Sequence, residues 1–95
     1  EFLAKFSRND LPFSRRSMDI VREILVLAKT DSTVFRGKTG TGASDQHFHG
    51  WFVGWVTKGE RIYIFATTIE SDDVSSNGKH AQTITEAILR SKSIL

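Results

Sequence analysis

The residues of this sequence best equipped for chemistry are Lys38, Thr39, Gly40 and Thr41, inside the run Arg36-Gly37-Lys38-Thr39-Gly40-Thr41-Gly42. After a short polar gap comes Gly50-Trp51-Phe52-Val53-Gly54-Trp55-Val56. A lysine followed by a hydroxyl residue and a glycine sets a fixed cation, a hydrogen-bond donor and an unshielded backbone side by side on one extended segment. That combination suits an anionic substrate. Without a Cβ, glycine lets a ligand approach the main chain closely, so an N–H such as that of Thr41 can point at a developing oxyanion. As a bare tripeptide, Lys-Thr-Gly carries little weight.

Two other groups of residues bear on chemistry. His47 and His49 are two apart, which on an extended chain puts both imidazoles on one face, as some zinc sites require. With no third ligand close by in the sequence and no cysteine, no metal is expected there, and the pair reads as part of a solvated hairpin loop. Trp51 and Trp55 offer a stacking platform for a ligand, against core packing, and the apolar surroundings favour the core for Trp55 at least.

The elements that must position these residues follow from periodicity. Residues 1–13 mix Phe2, Leu3, Phe6, Leu11 and Phe13 with charges and read as the tail of a helix, then a turn around Asn9-Asp10 and Pro12. Ser14 stands where an N-cap should. Ile20, Val21, Ile24, Leu25 and Ala28 then recur at helical spacing, predicting an amphipathic packing helix over 14–28. Lys29-Thr30-Asp31 breaks it, and Thr33 to Lys38 has the β-branched and aromatic content of a strand, with Lys-Thr-Gly at or near its end. Ala43 to His49 reads as a hairpin loop, Phe48 to Thr57 as a second strand, Lys58-Gly59-Glu60 as a turn and Arg61 to Glu70 as a third strand. Ser71 to Gly78 is a polar connector, and Ala81, Ile84, Ala87 and Ile88 mark a helix over 79–91.

Both alternating sets are apolar in the last two strands: Trp51, Val53 and Trp55 against Phe52 and Val56, then Ile62, Ile64 and Ala66 against Tyr63, Phe65 and Ile69. Such strands want cover on both faces, more than two helices supply. The fold class is therefore α+β, an antiparallel sheet of about three strands flanked by helices, with surface left over for elements outside this chain.

Composition bounds the function. At 95 residues the chain is one domain or less, and chains of this size bury a smaller share of their surface than longer ones. The net charge of +2 is small and the basic residues are scattered, which gives no case for nucleic acid. Zero cysteines exclude a disulfide framework or a thiolate metal site and leave the compartment open. No apolar run approaches the roughly 20 residues needed to cross a bilayer. No signal peptide is visible, and a segment starting in mid-domain would not show one.

Lys38-Thr39-Gly40-Thr41-Gly42 leading into Gly50-Trp51-Phe52-Val53-Gly54-Trp55, with Leu11-Pro12-Phe13-Ser14 upstream and Ile84-Thr85 in the last helix, resembles the C-terminal part of a class D serine β-lactamase, an oxacillinase. The resemblance runs through nearly the whole chain. It is specific through the order and separation of the pieces, since Lys-Thr-Gly is shared by the wider family of penicillin-recognising serine enzymes. It implies that residues 1–95 are a C-terminal fragment of one larger α/β/α β-lactamase/transpeptidase-like domain. In that family an acyl-enzyme forms on the serine of a Ser-x-x-Lys motif, whose carbamate-bearing lysine is the general base; a Ser-x-Val motif and Lys-Thr-Gly complete the site.

By this resemblance Lys38 holds positive potential near the substrate carboxylate and supports proton transfer through the Ser-x-Val hydroxyl. Thr39 hydrogen-bonds that carboxylate, Gly40 permits close approach, and the Thr41 N–H supplies half of the oxyanion hole. Lys38 and Thr41 are the catalytic candidates, and Thr39, Gly40 and Thr41 the substrate-binding ones. No cofactor or metal is implied. The implied partners are a β-lactam and the rest of the catalytic domain with its two other motifs, and the implied location is periplasmic or extracellular.

Two letter matches mislead. Ser76-Asn77-Gly78-Lys79 fits Ser-x-x-Lys but follows Lys-Thr-Gly, whereas the family places its nucleophile earlier. Ser32-Thr33-Val34 fits Ser-x-Val but lies just before Lys38, on what should be the same strand, and would not face it across a cleft. Both read as structural. There is also a departure: many class D enzymes carry an arginine close to the Ile-Thr pair as a second carboxylate anchor, and Ala81 stands at that place, with Lys79 and His80 as neighbours. Lys79 can offer a point charge but not the planar fork of arginine.

Three functions fit: a serine β-lactamase hydrolysing penicillins; the sensor domain of a β-lactam receptor, acylated without efficient turnover; and a degenerate relative with a structural role. Sequence ahead of Glu1 separates them. A Ser-x-x-Lys with a secretory signal favours the enzyme, and transmembrane helices with a cytosolic protease motif favour the receptor.

Overall fold

Alternating apolar runs separated by two-residue turns leave the chain little choice but consecutive antiparallel pairing. The computed structural model, which describes residues 2–8 and 11–95, has α1 (Phe2–Ser7), α2 (Arg15–Ile24), β1 (Val26–Lys29), β2 (Thr33–Ser44), β3 (His47–Lys58), β4 (Arg61–Ser71) and α3 (Gly78–Ser91). The strands form one sheet in the order β1-β2-β3-β4. The expected class, an antiparallel sheet with helices, is what forms, with one strand more than the three counted from sequence. The turn expected around Asn9-Asp10 lies outside the described residues; Pro12 beside it is exposed.

The extra strand comes from the C-terminal end of the helix predicted over 14–28. Ser14 does cap α2, its Oγ accepting the Ser17 N–H at 3.1 Å, but the helix stops at Ile24. Val26–Lys29 instead pairs antiparallel with β2, in the register Val26↔Arg36, Ala28↔Phe35 and Lys29↔Val34 with an irregularity between Val26 and Ala28. Strand hydrogen bonds offered by β2 override a local helical spacing of apolar residues, as tertiary context often does. The expected packing face of α2 is corrected with it. Met18 is the buried residue, whereas Ile20, Val21 and Ile24 are exposed.

The loop predicted over 43–49 is also shorter than expected. Asp45 (φ 49°) and Gln46 (φ 62°) alone make the turn, and a two-residue turn with both φ positive matches the twist of a hairpin. Lys-Thr-Gly therefore lies inside a 12-residue strand, not at its end.

Residue contacts divide the chain into two compact units, Glu1–Gly37 with Gly54–Ile64 and Lys38–Val53 with Phe65–Leu95. In the first, Phe6, Met18 and Trp55 are buried together, with Leu3, Leu11 and Leu25 packed around them. Phe6 meets Trp55 edge-on at 5.4 Å between ring centroids. The Arg36 guanidinium lies over Trp55 at 5.7 Å, and its Nε donates to the Arg22 carbonyl at 3.2 Å. Trp55 is thus core, as expected, and Arg36 is committed to that core and not to a ligand. Val56, next along β3, is also fully buried, so both faces of the strand are covered there. On β4 only one face is: Ile62 and Ile64 remain 44% and 46% exposed, the uncovered surface that the two-sided pattern foretold.

In the second unit Phe52 is fully buried and stacks on Phe65 at 5.0 Å. Helix α3, expected over 79–91 and found one residue longer at its start, buries Ala81, Thr85 and Leu89 at spacings of four. Ala87 and Ile88, placed in that stripe from sequence, are exposed. The buried Thr85 hydroxyl is satisfied by the Ala81 carbonyl at 2.8 Å and by Thr67 of β4 at 2.5 Å, which fixes α3 on the sheet.

Candidate functional site

All four sequence-predicted site residues lie on consecutive positions of β2 in the second unit, and strand alternation sorts them. Thr39 and Thr41 point to the side on which α3 begins. The Gly78 N–H donates to Thr41 Oγ1 at 2.9 Å, and a Cβ on Gly78 would lie 2.8 Å from Thr39 Cβ and 2.7 Å from the Gly40 carbonyl oxygen. Only glycine lets the first turn of α3 come this close to the strand. Lys38 and Gly40 belong to the other face. There the indole of Trp51 lies against Gly40 so tightly that a Cβ would fall 2.0 Å from its Cε2. Trp51 is 40% exposed, so one side of the indole is packed and another is open.

The backbone of β2 changes status along its length. Gly37 N–H donates to the Leu25 carbonyl, on the β1 side, at 3.0 Å, and there β1 ends its pairing. From Lys38 to Ser44 the same edge carries no strand among the described residues. Backbone polar groups alternate between the two edges of a strand, so the N–H groups of Thr39 and Thr41 fall on the edge that Gly37 uses, now open. Lys38 is exposed, and its ammonium has no carboxylate partner among the described residues. The first turn of α3 contains no acidic residue, and a helix N-terminus carries partial positive charge. An open edge with two outward N–H groups, a lysine and a helix N-terminus is suited to holding an anion.

The letter matches behave as structural residues. Ser76 is buried, its Oγ 2.5 Å from Ser71 Oγ, at the end of the connector into α3. Asn77 caps α3 by accepting the His80 N–H at 2.9 Å, and Lys79 is exposed. Ser32 sits in the β1–β2 connection, where its carbonyl accepts the Gly59 N–H at 3.0 Å, and Val34 follows on β2 itself. Ala81, to which the resemblance gives the second anchor's place, is fully buried and has no polar side-chain atom to offer a ligand.

The third metal-ligating group that the sequence did not place beside His47 and His49 is Glu70. Strand β4 brings it alongside, so that ligand atoms of the three lie within 4.8 Å of one another. Hydrogen bonds to Asp72 and then Glu70 raise the pKa of His47 above its ordinary value. The signal in the sequence was the hairpin pairing of 47–58 with 61–71, which returns the end of β4 to the start of β3.

Comparison with known proteins agrees with the strand motif. The penicillin-binding-protein transpeptidase domain model matches residues 4–90. The methicillin resistance mecR1 protein of Staphylococcus aureus is 32% identical over 94 residues, covering 98% of this chain and 16% of that protein. The crystal structure of the class D β-lactamase YbXI from Nostoc is 35% identical, with a TM-score of 0.87 over 99% of this chain and 39% of that one. The C-terminal domain of the Bacillus licheniformis BlaR penicillin-receptor is 30% identical, with a TM-score of 0.88 over 98% of this chain and 38% of that one. No helix among the described residues is long and apolar enough to cross a membrane. By motif, strand order and match alike, the chain belongs to the penicillin-binding-protein transpeptidase domain family and corresponds to the C-terminal part of its class D β-lactamase fold.

Proposed function

We propose that residues 1–95 are the C-terminal part of one serine β-lactamase domain and supply its substrate-anchoring strand. The observation that carries this reading is the open edge of β2 beyond Gly37, flanked by an exposed Lys38 without a carboxylate partner among the described residues. A penicillin has a carboxylate and a lactam carbonyl, and this edge offers a complement to each. Lys38 faces the carboxylate as a point charge. The Thr39 hydroxyl, which has no side-chain partner among the described residues, donates to the same group. The Thr41 N–H donates to the carbonyl oxygen as it gains charge, a role commonly worth about 2.7–4 kcal/mol in kcat when one such donor is removed. Gly40 keeps the strand flush against Trp51 and so fixes the line of the edge.

The chemistry itself needs a serine from the rest of the domain. Its oxygen bonds to the lactam carbonyl carbon, the ring C–N bond breaks, and the nitrogen takes a proton passed on by the general base and the hydroxyl relay that Lys38 supports. Water then cleaves the ester and frees the serine. No metal or organic cofactor enters this reading. β-Lactam hydrolysis of this kind confers antibiotic resistance from a periplasmic or extracellular location.

A second reading has its own support, because the chain is as similar in backbone to the BlaR penicillin-receptor domain as to the class D enzyme. The same strand then anchors a β-lactam that stays attached. The complete protein, incubated with a fluorescent penicillin and chased with unlabelled drug, distinguishes the two. Labelling followed by release of hydrolysed product supports the hydrolase, and a label that persists through the chase supports the receptor. A folded protein that takes no label at all overturns both and leaves a degenerate, structural relative.

A further inference from the structure

The structure assigns a second, unrelated site to this chain: we propose that His47, His49 and Glu70 bind one divalent transition-metal ion, such as Zn2+, where the ends of β3 and β4 meet.

The geometry fits a three-ligand metal site. His47 Nε2 and His49 Nδ1 both approach the same oxygen, Glu70 Oε2, at 3.4 and 3.5 Å. Charge-assisted hydrogen bonds close to about 2.7–2.9 Å, so these contacts, like that of His47 with Asp72 at 3.3 Å, are longer than the tightest ones. They are the right length for something else. Ligand atoms about 2.0–2.2 Å from a zinc ion at the centre of a tetrahedron stand about 3.3–3.6 Å from one another. Two of the three edges of the triangle already have that length. The third, between the two imidazoles, lies within 4.8 Å, and rotation of the half-exposed rings, whose centroids are 5.1 Å apart, shortens it. The ligand set is chemically apt, with two borderline imidazoles and one carboxylate.

An independent feature points the same way. Asp72 Oδ1 lies 3.3 Å from His47 Nδ1, the nitrogen that does not face Glu70. A carboxylate on the outer nitrogen of an imidazole fixes the proton there and leaves the inner nitrogen as a lone-pair donor, the arrangement that accompanies metal-bound histidines. His49 needs no such partner to be placed. Its ring lies against β2, with Cδ2 3.7 Å from where a Cβ on Gly42 would be. The three ligands leave the solvent side open, so water completes the tetrahedron. Hard cations such as Mg2+ prefer all-oxygen shells and are excluded by the two nitrogens.

The test is calorimetric titration of the metal-free complete protein with Zn2+, repeated with Mg2+, for wild type and the variants His49→Ala, Glu70→Gln and Asp72→Asn. A saturable Zn2+ component of one ion per chain is expected, lost in His49→Ala and in Glu70→Gln and weakened about 10- to 100-fold in Asp72→Asn. Mg2+ gives no such component. Glu70 and Asp72 are 62% and 95% exposed and His49 35%, so melting temperatures of the metal-free Glu70→Gln and Asp72→Asn proteins should match wild type and that of His49→Ala should change little. Replacement by Co2+ gives a second readout, an intense tetrahedral visible spectrum that vanishes with His49→Ala. Zn2+ binding that survives both ligand substitutions, or that is matched by Mg2+, overturns the assignment, as does the absence of any saturable component in the wild type.

Discussion

Replacing Gly78 by alanine tests how the anchoring strand is held. The added Cβ would sit 2.7 Å from the Gly40 oxygen, 2.8 Å from Thr39 Cβ and 2.9 Å from the Gly40 nitrogen, against contacts of 3.4–4 Å for ordinary packing. Two of these three neighbours are main-chain atoms, so the strain cannot be relieved by a rotamer change. Either α3 or β2 must move by roughly 1 Å, and overpacking of this kind costs about 1–3 kcal/mol. Movement also lengthens the bond from Gly78 N–H to Thr41 Oγ1, now 2.9 Å, whose loss contributes about 0.5–1.5 kcal/mol more. Opposing this is alanine's better helix propensity, at most about 1 kcal/mol. The net expectation is a destabilisation of about 0.5–3.5 kcal/mol. Because the displaced atoms belong to Thr39, Gly40 and Thr41, acylation should fall as well, by up to about 100-fold for a 1 Å error in placement. Gly42→Ala is the matched control, since its Cβ would meet only His49 and Trp51 side-chain atoms at 3.7–3.9 Å. Urea unfolding and the second-order acylation constant, measured on the complete protein, give both quantities. A Gly78→Ala protein as stable and as reactive as wild type would refute the claim that α3 is seated directly on β2.

Trp55→Ala should cost about 3–5 kcal/mol, because a side chain only 2% exposed is removed from between Phe6 and Met18; a loss under about 1 kcal/mol in urea unfolding would contradict the packing described. Thr85→Val removes a hydroxyl that bridges the Ala81 carbonyl and Thr67, and should lower stability by about 1–3 kcal/mol while Ser91→Ala, at the exposed end of α3, changes it by no more than about 0.5. The 95-residue chain on its own should neither hydrolyse a chromogenic cephalosporin nor sediment as a monomer, given exposed Ile24, Ile62 and Ile64; turnover abolished by Ser76→Ala, or a monomer that melts cooperatively, would sink those two expectations respectively.

What could be read from the sequence was whatever depends on local chemistry. Runs of aromatic and β-branched residues between turn signals located β3 and β4, Ser14 marked the start of α2, and the order of Lys38, Gly40, Gly50 and Trp55 carried the family. What could not be read depends on partners distant in the chain. Val26 to Lys29 continues a helical spacing, and only the edge of β2 makes it a strand. Ile20 and Ile24 look like core on a helical wheel, yet the position that meets Trp55 and Phe6 is Met18. A turn at Asp45-Gln46 requires two residues other than glycine at positive φ, which composition disfavours and the hairpin imposes. Within the site, the four consecutive residues of the motif were legible, whereas the open edge beside them depends on where β1 begins, opposite Arg36. Glu70 becomes legible beside His47 and His49 only through the pairing of β3 with β4.

The proposed function rests on Lys38 supplying positive charge where the substrate carboxylate binds. The direct measurement is the second-order acylation constant of the complete protein with a reporter penicillin, for wild type, Lys38→Ala, Lys38→Arg and Thr39→Val, alongside their melting temperatures. Removing a charge-assisted contact costs about 1.5–3 kcal/mol. If that contact acts in the transition state, Lys38→Ala should acylate roughly 10- to 100-fold more slowly at unchanged stability. Lys38→Arg should recover part of the loss, and Thr39→Val should lose less than Lys38→Ala. An unchanged acylation constant in a well-folded Lys38→Ala protein would mean that Lys38 only decorates an exposed strand, and would contradict the account.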